Sequence, residues 1–210
     1  AKLSISLVIR FCPVHITMQA FRIGEELRTL GIEVVVFDMD HTMSRHHCGE
    51  GLDRDDLDKY IGGVSEDFVV FAPFLAAEGF KLAVATGSDP DEYNIDGQSA
   101  ETHILGPDLA TAVIEAHCGD VLKDFAIMIG YDSRRHGSDP EEKGKRYHMR
   151  KIREFYDTSF EKMLLIDDSP RSLENEDGWH GALVQDPSVG FRLQDLEDFL
   201  TDALANEEPS

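Results

Sequence analysis

The sequence predicts an α/β domain built on a mainly parallel sheet, and three observations carry that prediction. Short apolar runs rich in β-branched residues, such as Val34-Val35-Val36-Phe37, recur along the chain and read as strands buried on both faces. Between them lie segments with apolar residues at helical spacing, so strands and helices alternate. Two of the runs end abruptly in acids, Asp38-Met39-Asp40 and Asp167-Asp168. Burying carboxylates is costly unless something pairs with them. At the C-terminal ends of parallel strands they instead meet the crevice where open α/β sheets bind ligands.

Each element has its own signal. Phe21, Leu27 and Leu30 recur near helical spacing and predict an amphipathic helix over about residues 17–30, stopped by Gly31. Val34–Phe37 is the first strand. Glu66–Glu78 predicts a helix that Pro73 should kink or restart. Leu82–Ala85 is the second strand. Asp108–His117 reads as a helix, with Pro107 near its start and Leu109, Val113 and Ile114 on one face. Phe125–Ile129, Met163–Ile166 and a short Ala182–Val184 complete the strands. Arg146–Tyr156 predicts a basic amphipathic helix with Met149, Ile152 and Phe155 facing inward. Leu193–Leu200 is a final helix whose apolar stripe is Leu193, Leu196, Phe199 and Leu200. Residues 1–30 are thus an N-terminal segment and helix, 31–202 one domain, and 203–210 a polar, fraying tail.

Bulk properties narrow the function classes. At 210 residues, 41% of them hydrophobic, the chain suits one soluble globular domain with a sizeable core. A formal net charge of −21 argues against nucleic acid and anionic membranes as partners, because both are polyanions. No apolar run approaches the ~20 residues that span a bilayer. Cys12, Cys48 and Cys118 are too few and scattered for a disulfide framework, so a reducing, cytoplasmic setting is expected. The alternative is an organelle-targeting remnant in the mildly apolar, basic Leu3–Phe11 stretch, which lacks a signal-peptide design. Oligomeric state has no sequence signal.

Four segments carry chemistry, in a fixed order. Asp38-Met39-Asp40-His41-Thr42 follows the first strand. Thr86-Gly87 ends the second. Lys145 opens the basic helix, with His148 three residues on. Asp167-Asp168-Ser169-Pro170 ends the fourth strand. The ordered set resembles the haloacid dehalogenase-like (HAD) hydrolase superfamily over residues 34–168. The stretch from Lys145 to Gly190-Phe191 is similar, more narrowly, to its capless magnesium-dependent phosphatases. The resemblance implies a Rossmann-like three-layer core without a large cap domain. The spacing agrees: only 23 residues, 43–65, separate Thr42 from Glu66, and they show little hydrophobic periodicity. Loops near 43–65, 88–106 and 131–144 are then expected around an open site.

The resemblance implies hydrolysis of a phosphomonoester through an aspartyl-phosphate on Asp38. Carboxylates suit such covalent transfer, because they split one hard step into two. Asp40 would protonate the leaving alcohol and then deprotonate the attacking water. Mg²⁺ is the implied cofactor, held by Asp38, the backbone carbonyl of Asp40 and Asp168, with Asp167 either binding the ion or orienting Lys145. Lys145 would neutralise charge on Asp38 and on the phosphoryl group. Lys143 is a competing candidate, and the Lys-x-x-His spacing favours Lys145. Thr86 and the Gly87 backbone would bind phosphate oxygens, and Thr42 would brace the first loop. His148 reads as a packing residue. His46-His47-Cys48 has soft-ligand types but poor zinc spacing. Arg134-Arg135-His136 reads as a solvated loop, with a substrate-anion contact as its alternative. A phosphorylated small molecule and a phosphoprotein both remain open as substrates. The rival readings are a phosphotransferase or phosphomutase on the same residues, and a binding or scaffold protein without turnover.

Overall fold

The computed structural model describes residues 14–48, 51–91, 99–132, 143–174 and 177–205. The expectations for Leu3–Phe11, Cys12, Arg134-Arg135-His136, residues 92–98 of the 88–106 loop, residues 133–142 of the 131–144 loop and the end of the tail fall outside them. In chain order the elements are α1 (Val14–Thr29), β1 (Val34–Phe37), β2 (Leu52–Asp53), α2 (Leu57–Ile61), α3 (Glu66–Ala77), β3 (Lys81–Thr86), β4 (His103–Ile104) and α4 (Gly106–Cys118). Then follow β5 (Phe125–Gly130), α5 (Arg146–Tyr156), β6 (Met163–Asp167), α6 (Pro170–Leu173), β7 (His180–Leu183) and α7 (Leu193–Ala205). The predicted strands and long helices are all present, with ends shifted by a few residues.

Five strands form one sheet in the order β5-β3-β1-β6-β7, and every pairing in it is parallel. This is a Rossmann-like order. The chain builds outward from β1 through β3 to β5, then returns to the other side of β1 with β6 and β7. The ends of β1 and β6 therefore flank the topological switch point, where such sheets bind ligands.

The period-2 alternation of strands divides the core into two layers. Val35, Phe37, Leu82, Val84, Leu164 and Ile166 face one side, against α1, α3, α4 and α7. Val34, Val36, Ala83, Ala85 and Leu165 face the other, where Met149 and Ile152 of α5 cover them. This is the continuous burial on both faces that the Val34–Phe37 run predicts. Two aromatic expectations fail. Phe155 is 54% exposed and Phe21 is 55% exposed. On α5 the inward positions are taken by His148, Met149 and Ile152. On α1 they fall to Ala20, Ile23 and Leu27. The helical phase about Leu27 places Phe21 on the outer side.

Local chemistry explains the helix ends. After α1 the Gly31 N–H donates to Arg28 O (2.9 Å) and the Ile32 N–H to Leu27 O (3.0 Å), with Gly31 at φ 75°. That is a Schellman stop, in which a left-handed glycine satisfies orphan carbonyls. Ser65 caps α3 by accepting from Phe68 N (3.1 Å). Pro73 neither ends α3 nor restarts it. Proline has no N–H to offer the Val69 carbonyl one turn earlier. The Cys118 thiol donates to that carbonyl instead, at 3.7 Å.

The 43–65 interval is more ordered than its irregular pattern predicts. Among the described residues it forms β2, a 3₁₀ turn over Arg54–Asp56, and α2. β2 pairs antiparallel with β4, Leu52 opposite Ile104. β2, the 3₁₀ turn and α2 follow one another without a break from Leu52 to Ile61. Short pieces stabilised by long-range partners carry no periodicity of their own.

Candidate active site

Asp38 follows the last residue of β1, and its N–H still donates to Ile166 O (2.9 Å). The ladder therefore sets Asp38 beside Asp167 at the end of β6. Both are buried, at 6% and 1% exposure, while Asp168 is half-buried. One carboxylate oxygen from each of Asp38, Asp167 and Asp168 lies within 4.8 Å of the others.

Lys145, at the start of α5, reaches the same point from the opposite layer. Its Nζ donates to Asp38 Oδ1 (2.5 Å) and Ala85 O (2.6 Å), and lies 3.6 Å from Asp167 Oδ2. Lys143, the competing candidate, stays exposed on the rim. Burial disfavours the Lys145 ammonium, yet Asp38 and Asp167 outweigh it and hold its pKa above the ordinary value. Burial pushes the Asp38 carboxyl well above the usual carboxylate range, Lys145 opposes this, and the charge of Asp167 adds to it. Burial, then Asp167, likewise raises Asp168. Three acids face one cation, so the cluster is short of positive charge. Asp167 Oδ2 is buried without a hydrogen-bond partner among the described residues. An all-oxygen, charge-deficient cluster with an orphaned buried acceptor fits a hard divalent cation such as Mg²⁺.

Asp40 is held apart from this cluster. After Asp38 the chain turns through His41, at φ 59°, and Ser44 N closes the turn on Met39 O (3.0 Å). The turn aims the Asp40 side chain at three donors. Tyr60 Oη donates to Oδ1 (2.5 Å); His47 Nδ1 and Cys48 Sγ meet Oδ2 at 2.8 and 3.1 Å. Burial raises the Asp40 pKa, but these bonds outweigh it and leave Asp40 below its ordinary value. His47 is pushed up by its bond to Asp40. Sequence reasoning missed these supports. His47 and Cys48 attract notice only as poor zinc ligands, and nothing local connects Tyr60 to residues twenty positions away.

A packed segment from the far end of the chain holds the turn. Phe191 N donates to Thr42 O (2.9 Å), and Ser65 Oγ donates to Phe191 O. Gly190 lies at φ 82°, and a Cβ there would sit 2.9 Å from Thr42 O. Only glycine fits that approach without strain. The Phe191 ring is buried edge-on to Phe37, with centroids 5.9 Å apart. Thr42 is fully buried and takes its contact with Phe191 through its backbone.

Thr86 ends β3, and its Oγ1 accepts from Ser88 N (3.1 Å). Its carbonyl accepts from Tyr131 N (3.1 Å) and meets His148 Nε2 (2.9 Å). His148 is buried and its pKa falls to about 3, first through burial and then through Lys145. It is thus neutral at pH 7 and bridges α5 to the end of β3. Gly87 is exposed, with open space where a Cβ would lie. Asp38, Asp40, His47, Thr86, Gly87, Lys145, His148, Asp167 and Asp168 border one open cleft of about 990 Å³.

No family model and no curated protein sequence matches the chain. Solved structures do. An uncharacterized protein from Listeria monocytogenes serotype 4b superposes with a TM-score of 0.53 at 15% identity, over 83% of this chain and 98% of that one. A hypothetical protein from Xanthomonas campestris gives 0.44 at 10% identity, over 96% and 97%. A protein from Legionella pneumophila, described as a HAD superfamily (subfamily III A) hydrolase, gives 0.40 at 12% identity, over 92% and 93%. The Listeria likeness is one of fold, and it agrees with the architecture seen here: an α/β domain whose five-stranded parallel sheet is covered by helices on both faces.

Proposed function

We propose that the chain is a Mg²⁺-dependent phosphomonoester hydrolase of the HAD type, working through a phosphoryl group carried on Asp38. One observation carries the reading. Three carboxylates and a buried lysine converge at the switch point of a parallel sheet, on the residues that the sequence motifs single out. Asp38, Asp167, Asp168 and the backbone carbonyl of Asp40 would hold Mg²⁺, which supplies positive charge against the phosphoryl oxygens.

The chain's own residues do the rest. An Asp38 carboxylate oxygen attacks phosphorus as the bond to the leaving oxygen breaks. Lys145 keeps that carboxylate oriented and offsets the charge gathering around it. Asp40, ionised at rest, passes to the leaving oxygen a proton supplied by His47, whose bond to Asp40 raises its pKa, and then takes one from the water that cleaves the aspartyl-phosphate. Of the three donors on Asp40, only His47 has an exposed side chain, and it lines the cleft beside Asp40. Thr86 and the Gly87 backbone line the side of the cleft where phosphoryl oxygens would rest.

The test is phosphate release from p-nitrophenyl phosphate with Mg²⁺ and with EDTA, by wild type and by Asp38→Asn. Asparagine is nearly isosteric but is no anionic nucleophile. Turnover confined to wild type with Mg²⁺ is expected. Full activity in EDTA, or hydrolysis by the purified variant, would overturn the reading.

A further inference from the structure

We propose that the substrate of this cleft carries a second anionic group, bound at the rim by Lys143 and Arg171. The inference rests on the phosphohydrolase reading and deepens it, by assigning a substrate class: compact phosphomonoesters bearing a carboxylate or another phosphate. Both side chains are exposed and both line the cleft. They come from different elements, Lys143 from the chain entering α5 and Arg171 from α6. The backbone joins them: a Cβ built on Gly144 would lie 3.5 Å from Arg171 O. The segment Lys143-Gly144-Lys145 therefore lies along α6 with its two lysines doing different things. Lys145 is committed to Asp38 and Asp167, while Lys143 stays at the mouth.

The Lys143 backbone carbonyl accepts from Arg146 N (3.3 Å), but among the described residues neither the Lys143 ammonium nor the Arg171 guanidinium has a hydrogen-bond or ion-pair partner. That is unusual in a chain with 41 acidic residues against 20 basic ones, where carboxylate partners are abundant. Nearby cations are paired: Arg146 lies 3.7 Å from Asp177, and Lys151 lies 3.2 Å from Glu154. The field of the whole protein repels anions. Two exposed cations on the rim weaken that repulsion on their side of the cleft. Glu174, also on the rim, sets a limit. It repels an anion that approaches from its side and restricts the second group to the Lys143–Arg171 side. The cleft volume, about 990 Å³, is in the range of small-molecule sites.

The test compares matched pairs that differ only in the second anion: 3-phosphoglycerate against glycerol 3-phosphate, and glucose 1,6-bisphosphate against glucose 6-phosphate. Affinity is read by calorimetry with Mg²⁺ on the Asp38→Asn protein, and kcat/KM on wild type. Two exposed charge pairs should together favour the member with the second anionic group about tenfold, with the preference shrinking as salt rises. The double variant Lys143→Ala/Arg171→Ala should bring the ratio to about one, and Glu174→Gln should raise it. Equal binding of both members by the parent protein, or a ratio that survives the double variant, would overturn the second-anion site. Inert wild type on p-nitrophenyl phosphate with a preserved binding ratio would instead sink the hydrolase reading alone.

Discussion

Asp38 and Asp40 are the same residue type, two positions apart, in opposite surroundings. Asp38 sits among like charges with a single ammonium against it. Asp40 has no cation of that kind; a tyrosine, a histidine and a thiol saturate its two oxygens. The first setting raises a carboxyl's pKa and the second lowers it. Surroundings of this sort, more than residue identity, divide labour between paired acids. The Asp38 pocket is built to be completed by positive charge from outside. The Asp40 pocket is complete already and fixes where one carboxylate points.

The sharpest way to break the contrast is to neutralise Asp40. With Asp40→Asn, hydrolysis of alkyl phosphates should fall about 10²–10⁴-fold. Activated aryl phosphates, whose leaving groups need no proton, should lose far less. Equal losses on both would remove Asp40 from the proton-transfer role.

Lys145→Met tests the charge shortage around Asp38. Removing one partner of a buried pair typically costs about 3–5 kcal/mol. In a protein of this size that lowers Tm by roughly 6–20 °C in metal-free buffer. Mg²⁺ should restore part of the loss. A variant as stable as wild type without metal would show that Asp38 does not depend on its lysine.

Tyr60→Phe removes one donor from Asp40 and keeps the ring packed. A hydrogen bond to a charged group is worth about 1.5–3 kcal/mol. About a tenfold fall in kcat on alkyl phosphates should follow, with little change on activated aryl phosphates. A fall common to all substrates would mark Tyr60 as a packing residue only.

Asp168→Ala is the mildest change. Asp168 is partly exposed and its pKa is raised, so its ionised form destabilises the metal-free fold. For an acid with a raised folded pKa, stability is lost as pH rises through the titration. Deleting Asp168 should therefore raise metal-free Tm near neutral pH, by no more than about 2 °C. The gain should fade as pH drops below about 4, the unfolded aspartate's own pKa, where the wild-type carboxyl becomes protonated in both states. Mg²⁺ affinity should weaken in the same variant, as a calorimetric titration would read. A gain that persists at low pH would point away from charge repulsion.

Much of this architecture was legible because it is encoded locally. Runs buried on both faces, such as Val34–Phe37 and Met163–Ile166, are unambiguous once acids cut them off. The alternation of strand and helix then places those acids at one edge of a sheet. Gly31 marks a helix end through chemistry that acts within one turn. Amphipathic phase was less secure: a few residues define it, so Phe21 and Phe155 were placed inward when their neighbours claim the core.

What the sequence by itself determined is the set of groups at the switch point, Asp38, Asp167, Asp168 and Lys145, since strand ends and a helix start fix each one. Only the tertiary structure decided how those groups are supported and what surrounds them. Tyr60 meets Asp40, Phe191 pins Thr42, Cys118 serves the carbonyl that Pro73 leaves, and Gly144 lies against the Arg171 carbonyl. Each of these depends on segments distant in sequence arriving at one place. Such contacts leave no periodicity and no motif behind, because the packing of the whole core, and not any local stretch, sets them.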